Sequence, residues 1–172
     1  MNTAPPPPNT ALALWHRLST LPMGKWLFSQ AVCVKAPYFG SISPRFAELR
    51  AGYCRVTLAK RRRVHNHIGT VHAIAICNLA EAAAGTLCEA TVPRTHRWIP
   101  KGMTVEYLRK AASDLVAVAT LDPLPAFDAS AADVPVAVEV TDRDQHVVVR
   151  ATIMMRISPR KAASSPATIM PS

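Results

Sequence analysis

A chain of 172 residues with 49% apolar side chains can bury one sizeable core, which argues against both several domains and a wholly disordered chain. Lys plus Arg outnumber Asp plus Glu by 20 to 11, for a net charge of +9, so the surface should attract some polyanion: nucleic acid, anionic lipid or a phosphorylated small ligand. The four cysteines, Cys33, Cys54, Cys77 and Cys88, form no CxxC pair and read as small buried hydrophobes in a reducing compartment, not as a disulfide framework or zinc ribbon.

In chain order, residues 1–10 carry four consecutive prolines and read as a disordered or polyproline-like arm. Leu14, Leu18 and Leu21 share a helical stripe that Pro22 and Gly24 interrupt before Trp26, Leu27 and Phe28, which predicts a helix, a break and a short second helical turn. The prolines at 37 and 44 predict an irregular connector, with one helical turn through Phe46 to Arg50. Cys54, Val56 and Leu58 alternate with Tyr53, Arg55 and Thr57 as in a half-buried strand, and the basic run Lys60 to Arg63 ends it.

Polar residues then crowd together at His65, Asn66, His67, Gly69, Thr70 and His72, and from Ala73 to Ala84 only Asn78 and Glu81 are polar. A helix so apolar must be wrapped on most sides. Gly69 turns the chain into it, Thr70 is positioned to cap it, and Gly85 reads as its stop. Beyond it, Thr86 to Val92 reads as a strand and Pro93 to Lys101 as a rigid basic loop around Trp98. Further strands are expected at Met103 to Tyr107, Leu115 to Leu121, Val134 to Val140 and Val147 to Ile157, with a hairpin turn at Asp142 to Gln145. Residues 122–133 form a long proline-bearing loop, and residues 158–172 read as a disordered tail. The pattern is α+β: extra helices at the N-terminus, then a central helix in a curved, mainly antiparallel sheet, all in one domain over residues 11–157. The N-terminus lacks the basic and apolar runs of a targeting signal, and no stretch reaches the ~18 apolar residues of a bilayer span, so a cytoplasmic protein is expected.

The run Asn66-His67-Ile68-Gly69-Thr70-Val71-His72-Ala73, followed by Glu81, resembles the hot-dog thioesterase superfamily, in particular its PaaI-like branch and their relatives of unknown function. Their pattern is an Asn, a Gly, His-Gly-Gly opening the central helix, an acid eight residues past the first of those glycines, and a Gly closing the helix. Met103 to Ala111 looks like the strand that follows, and the valine-rich hairpin suits the last two strands, so the likeness spans about Gly52 to Arg156. The chain departs from the pattern at both glycines, now Ala73 and Ile74, and at the acid, an Asp in this branch and Glu81 here. The Ser or Thr that related enzymes carry on a neighbouring strand has Thr104 as its candidate.

The resemblance implies a hot-dog fold and an acyl-CoA thioesterase in which the Ala73 backbone N–H polarises the thioester carbonyl, Glu81 acts as base or nucleophile, and Asn66 orients water or substrate. Gly69, Thr70, His72, Arg62 and Arg63 are the candidate substrate-binding residues, the two arginines for the phosphates of coenzyme A, with Lys60, Arg94, Arg97 and Lys101 as further basic candidates. Ala73 and Glu81 lie eight residues apart, about 12 Å along one helix, too far to meet at one carbon, so a homodimer or dimer of dimers must supply one of them from each subunit. His65, His67 and His72 invite a metal, but no nearby Asp or Cys completes a site, and neither metal nor cofactor is expected. The alternative is a non-catalytic hot-dog protein that binds acyl-CoA or lipid, favoured by crowding at Ala73 and Ile74. Nucleic-acid binding ranks last, because no recognition helix or aromatic-basic strand accompanies the charge.

Overall fold

The computed structural model of the chain describes residues 9–160. Helices α1 (Thr10–Leu18) and α2 (Gly24–Lys35) lead through a 3-10 turn (Pro37–Ser41) into the hairpin of β1 (Arg45–Arg50) and β2 (Tyr53–Leu58). A second 3-10 turn (Arg62–Val64) precedes the long helix α3 (Ala73–Thr91). Strands β3 (His96–Tyr107), β4 (Leu115–Thr120), β5 (Ala132–Thr141) and β6 (Val147–Pro159) follow. The strands form one six-stranded sheet in the order β1-β2-β4-β5-β6-β3, antiparallel at every pairing. The α+β arrangement is therefore the one expected, with β1 and β3 as its two edges.

Alternation along the strands decides which face holds the helix. Cys54, Val56 and Leu58, Leu115 and Ala117, Val136 to Val140 at every second position, and Ile153, Met155 and Ile157 are all buried against α3. Their neighbours face outward, where Glu139 pairs with Arg150 at 3.0 Å and Asp133 with Arg156 at 3.0 Å across the ladder between β5 and β6. α3 presents Leu79, Ala80, Ala83, Ala84 and Leu87 to the sheet; the run of alanines lets the helix axis approach closely.

Several boundaries differ from those expected. α3 does not stop at Gly85 but continues to Thr91, so Thr86 to Val92 is helix, not strand. A Cβ at Gly85 would lie 3.2 Å from the Trp98 ring, so this glycine admits a packed aromatic and does not mark an end. Lengthened in this way, α3 has 19 residues and a mean hydropathy of 1.3, enough by length and composition for a bilayer span, but 67% of that window is already buried within the protein. Phe46 to Arg50 belongs to strand β1, not to a helical turn, and a bulge between Phe46 and Glu48 breaks its alternation. Residues 96–101 are part of β3 and not a loop. Pro100 is tolerated there because β3 is an edge strand, irregular between Pro100 and Gly102.

The N-terminal helices are more substantial than the expected turn. α2 runs to Lys35, and Trp15, Phe28 and Phe46 stack edge-to-face at centroid distances of 5.1 and 5.5 Å, joining α1, α2 and β1. Gly24 is obligatory at the joint between the helices, because a Cβ there would fall 1.7 Å from the Leu18 carbonyl oxygen. Of the arm expected over residues 1–10, Asn9 and Thr10 open α1, and the Asn9 amide donates to the Val92 carbonyl at 2.5 Å. Of the tail expected from Ser158, β6 continues to Pro159 and the Arg160 N–H donates to the Thr95 carbonyl at 2.8 Å. The rest of the arm and the tail lie outside the described residues.

Candidate functional site

The polar loop before α3 is held by Asn66. Its Oδ1 accepts from the N–H groups of Ile68 (3.2 Å) and Thr70 (3.0 Å), and its Nδ2 donates to Thr70 Oγ1 at 2.7 Å. Gly69, at φ +78°, makes the turn on an exposed surface. A bridge between His65 and Val71 closes the loop, and the His72 N–H returns to the Val64 carbonyl at 2.7 Å. Asn66 and Thr70 thus spend their side chains on each other and on the loop backbone.

The helix cap is His72, not the expected Thr70. His72 Nδ1 accepts from the Ile74 N–H at 3.1 Å, and the His72 carbonyl accepts from Ile76 at 3.1 Å. The Ala73 N–H is left without a protein acceptor among the described residues, at the positive end of a 19-residue helix. Beside this N-terminus is a polar pocket of about 200 Å³ whose lining includes Arg63, His65, His72 and Asn78. His65 Nε2 and Asn78 Oδ1, both buried without a hydrogen-bond partner, belong to residues of this pocket. Asn78 was visible in the sequence only as a polar interruption of the helix; its Nδ2 donates to the Tyr38 carbonyl (3.3 Å) and to Ser41 Oγ (3.2 Å).

Along α3 one stripe runs beside the edge strand β3 and not over the body of the sheet: Ile74, Cys77, Glu81, Gly85 and Glu89, spaced three, four, four and four residues apart. Ile74 is 56% exposed, while Cys77 and Glu81 are half-buried. Among the described residues the Glu81 carboxylate has neither a hydrogen-bond nor an ion-pair partner. Two turns on, Glu89 accepts from Lys35 Nζ at 2.7 Å and from Trp98 Nε1 at 3.2 Å. Burial pulls the Glu89 pKa up, but the Lys35 and Trp98 hydrogen bonds and the Lys35 charge outweigh it and hold the carboxyl below its ordinary 4.5. Cys77 was expected to be a buried hydrophobe; its Sγ instead lies 3.1 Å from the Tyr107 hydroxyl at the open end of β3. That hydrogen bond, then burial, pushes the Tyr107 phenol up to about 12. Cys54 and Cys88 are buried as expected, and burial raises both thiols, Cys88 to about 12.

Within one chain the candidates stay apart. Ala73 and Glu81 share a helix about 12 Å apart along its axis. Arg62 and Arg63 are exposed near the N-terminal end of α3, with Arg63 donating to Ser43 Oγ, whereas Arg94 and Arg97 line a basic cavity of about 580 Å³ at its far end together with Arg160. Thr104 is exposed between Met103 and Val105, which pack on the core, so it sits on the face of the sheet away from the helix. The three histidines do not gather: His67 is exposed, and His72 Nδ1 is engaged by the helix. Asp142, Asp144 and His146 do cluster, but in the β5–β6 turn, where Asp142 Oδ1 accepts from the N–H groups of the other two at 2.9 Å each.

Residues 24–157 match the model of a domain of unknown function, DUF4442. The chain belongs to that family. This DUF4442 protein is 46% identical to the structural-genomics protein APC5556, over 87% of this chain and 99% of that one, with a TM-score of 0.74. It is also similar to the Pseudomonas aeruginosa protein of unknown function PA5026, described as a probable thioesterase (24% identity, 81% and 97% of the two chains, TM-score 0.71). The third is the E. coli PaaI protein of the phenylacetic acid degradation operon (14%, 77% and 97%, 0.61). A search of curated protein sequences finds no match. These likenesses establish the hot-dog fold that the Asn66 to Ala73 run implied.

Proposed function

We propose that this protein is an acyl-CoA thioesterase whose site is shared between two subunits. The observation that carries the reading is Glu81: a half-buried carboxylate on the open stripe of a core helix, with no protein partner among the described residues. An acid so placed gains nothing structurally and is free to act on water. The Ala73 N–H, with no protein acceptor among the described residues, is the matching donor to a developing oxyanion. Support comes also from the PaaI-like likeness and from neighbours described as thioesterases.

A second copy brings the two groups together. Among the described residues β3 pairs on one side only, with β6, and leaves a 12-residue edge on which Ile99 and Tyr107 are exposed. Pairing this edge with that of a second copy about a two-fold axis sets the two α3 helices antiparallel, so that Glu81 faces Ala73 of the partner subunit. The same antiparallel arrangement places Arg62 and Arg63 near Arg94 and Arg97 of the partner subunit, a basic surround for the phosphates of coenzyme A.

In the reaction, the Ala73 N–H of the partner subunit donates to the thioester oxygen. Glu81 removes a proton from water as the water oxygen attacks the carbonyl carbon. The tetrahedral oxyanion collapses, the C–S bond breaks, and the proton held by Glu81 passes to the departing sulfur.

The test is hydrolysis of an acyl-CoA panel by the wild type and by Glu81→Gln, with sedimentation velocity on both. Turnover should fall by about 10²–10⁴-fold in the variant while the dimer persists. Equal rates in the two proteins, or hydrolysis by a strict monomer, would defeat the reading. Tight binding of acyl-CoA with no turnover in either protein would select the non-catalytic alternative, which the Ala73 methyl and the exposed Ile74 in place of two glycines favour.

A further inference from the structure

The stripe of α3 that carries Glu81 runs on into an apolar cleft. The cleft, about 300 Å³, lies between α1, α2 and α3; its lining includes Leu14, Phe28, Val32, Phe39, Gly85 and Trp98. Gly85 is one helical turn past Glu81 on the same face, about 6 Å along the axis. A side chain at Gly85 would both narrow the cleft and meet Trp98 at 3.2 Å. At the far rim, Lys35 and Glu89 are joined at 2.7 Å, and Trp98 donates to the second Glu89 oxygen at 3.2 Å, so these three residues close that end. Trp98 and Glu89 also line the basic cavity of Arg94, Arg97 and Arg160 and form the partition between the two.

We infer that this cleft holds the acyl chain of the substrate and sets its length, a conclusion that rests on the thioesterase reading above. An apolar lining with its one ion pair at the closed end accepts a hydrocarbon chain and rejects a nucleotide or a charged acyl group. Its volume is about twice that of a ~150 Å³ cavity that takes one benzene ring, which suits a chain of up to about twelve carbons. Longer chains must open the Lys35–Glu89 pair. Each methylene that enters should tighten binding by up to about fourfold.

The experiment uses thioether analogues, which bind without being hydrolysed. Calorimetric affinities of S-decyl-CoA and S-ethyl-CoA are compared for the wild type and Val32→Trp, whose indole fills the cleft. The wild type should prefer the decyl analogue by at least about 100-fold, and the substitution should cut that preference at least tenfold while leaving S-ethyl-CoA affinity unchanged. If Val32→Trp does not fold by circular dichroism, Ala31→Phe, on the exposed rim, takes its place with the same expectation. Equal affinity for the two analogues in the wild type, no binding of either, or a preference that survives the cleft-filling variant would overturn the assignment. Because no turnover is needed, these outcomes are read separately from the effect of Glu81→Gln.

Discussion

The two halves of α3 are made of similar residues and treated very differently. From Ala82 to Cys88 every residue is buried, with Ala82, Ala83, Ala84, Leu87 and Cys88 at 0% exposure, and the acid that follows, Glu89, is tied by Lys35 and Trp98. From Ala73 to Glu81 the helix is covered by the sheet and, at Asn78, by Tyr38 and Ser41 of the first 3-10 turn, but Ile74 stands out and Glu81 has no protein partner among the described residues. The cover is unequal along one helix: the second half packs on the sheet and borders the apolar cleft at Gly85, Thr86 and Glu89, whereas the first half leaves Ile74 exposed and Glu81 half-buried. Position along the helix, not residue type, separates a glutamate tied by Lys35 and Trp98 from one that has no protein partner among the described residues.

The sharpest way to break this contrast is a truncation to alanine in each half. Leu87→Ala should cost about 2–5 kcal/mol, since a fully buried leucine on the sheet-facing side leaves a void that surrounding strands cannot collapse into. Ile74→Ala, on the open half, should cost within about 0.5 kcal/mol by the same urea denaturation when the protein is diluted to monomer. Similar losses at both positions would mean that the open half is not open.

How much of this was legible in the sequence follows from which signals are local. The loop built on Asn66 and Gly69 and the hairpin of β5 and β6 are readable, because each depends on residues close together in the chain, whereas the cap is supplied by His72 and not by the expected Thr70. The helix end departs from expectation because Gly85 sits inside α3 and does not stop it. Yet Leu79, Ala83, Leu87 and Ala90 keep the helical period straight through it, and that spacing was the available sign of continuation. β1 was missed because its bulge puts Phe46 and Leu49 three apart, which imitates a helix. The cleft was invisible for a different reason. Its walls come from α1, α2, α3 and β3, brought together only by tertiary packing. The Cys77–Tyr107 contact joins residues 30 apart and left no trace in either local pattern.

Gly85 itself supplies a smaller test, at the border of the two halves. Gly85→Ala gains about 1 kcal/mol of helix propensity in the interior of α3, opposed by a 3.2 Å approach to the tip of the Trp98 ring. Trp98 is half-buried on an edge strand and must shift by a few tenths of an ångström, so the net change in the urea midpoint should correspond to under about 1 kcal/mol in either direction. A loss of several kcal/mol would show the ring to be fixed, and the partition between cleft and basic cavity rigid.

The smallest effect expected belongs to Glu89, and its value lies in its pH dependence. The folded-state pKa is depressed below the ordinary 4.5, so the carboxylate contributes stability that is fully present above that value and is lost as pH falls through the folded pKa. Lys35 is 76% and Glu89 38% exposed at the side chain, so solvent screening limits the pair to about 1 kcal/mol or less. Glu89→Gln should therefore be slightly less stable than the wild type at pH 7, and the gap between the two should narrow as pH falls below 4.5. Glu81→Gln offers the contrast at the other half of the helix: with no protein partner to lose among the described residues, it should leave the pH 7 denaturation midpoint of the monomer close to wild type. A gap for Glu89→Gln that stayed constant from pH 7 to pH 3 would mean that the Lys35–Glu89–Trp98 closure contributes through packing alone and not through charge.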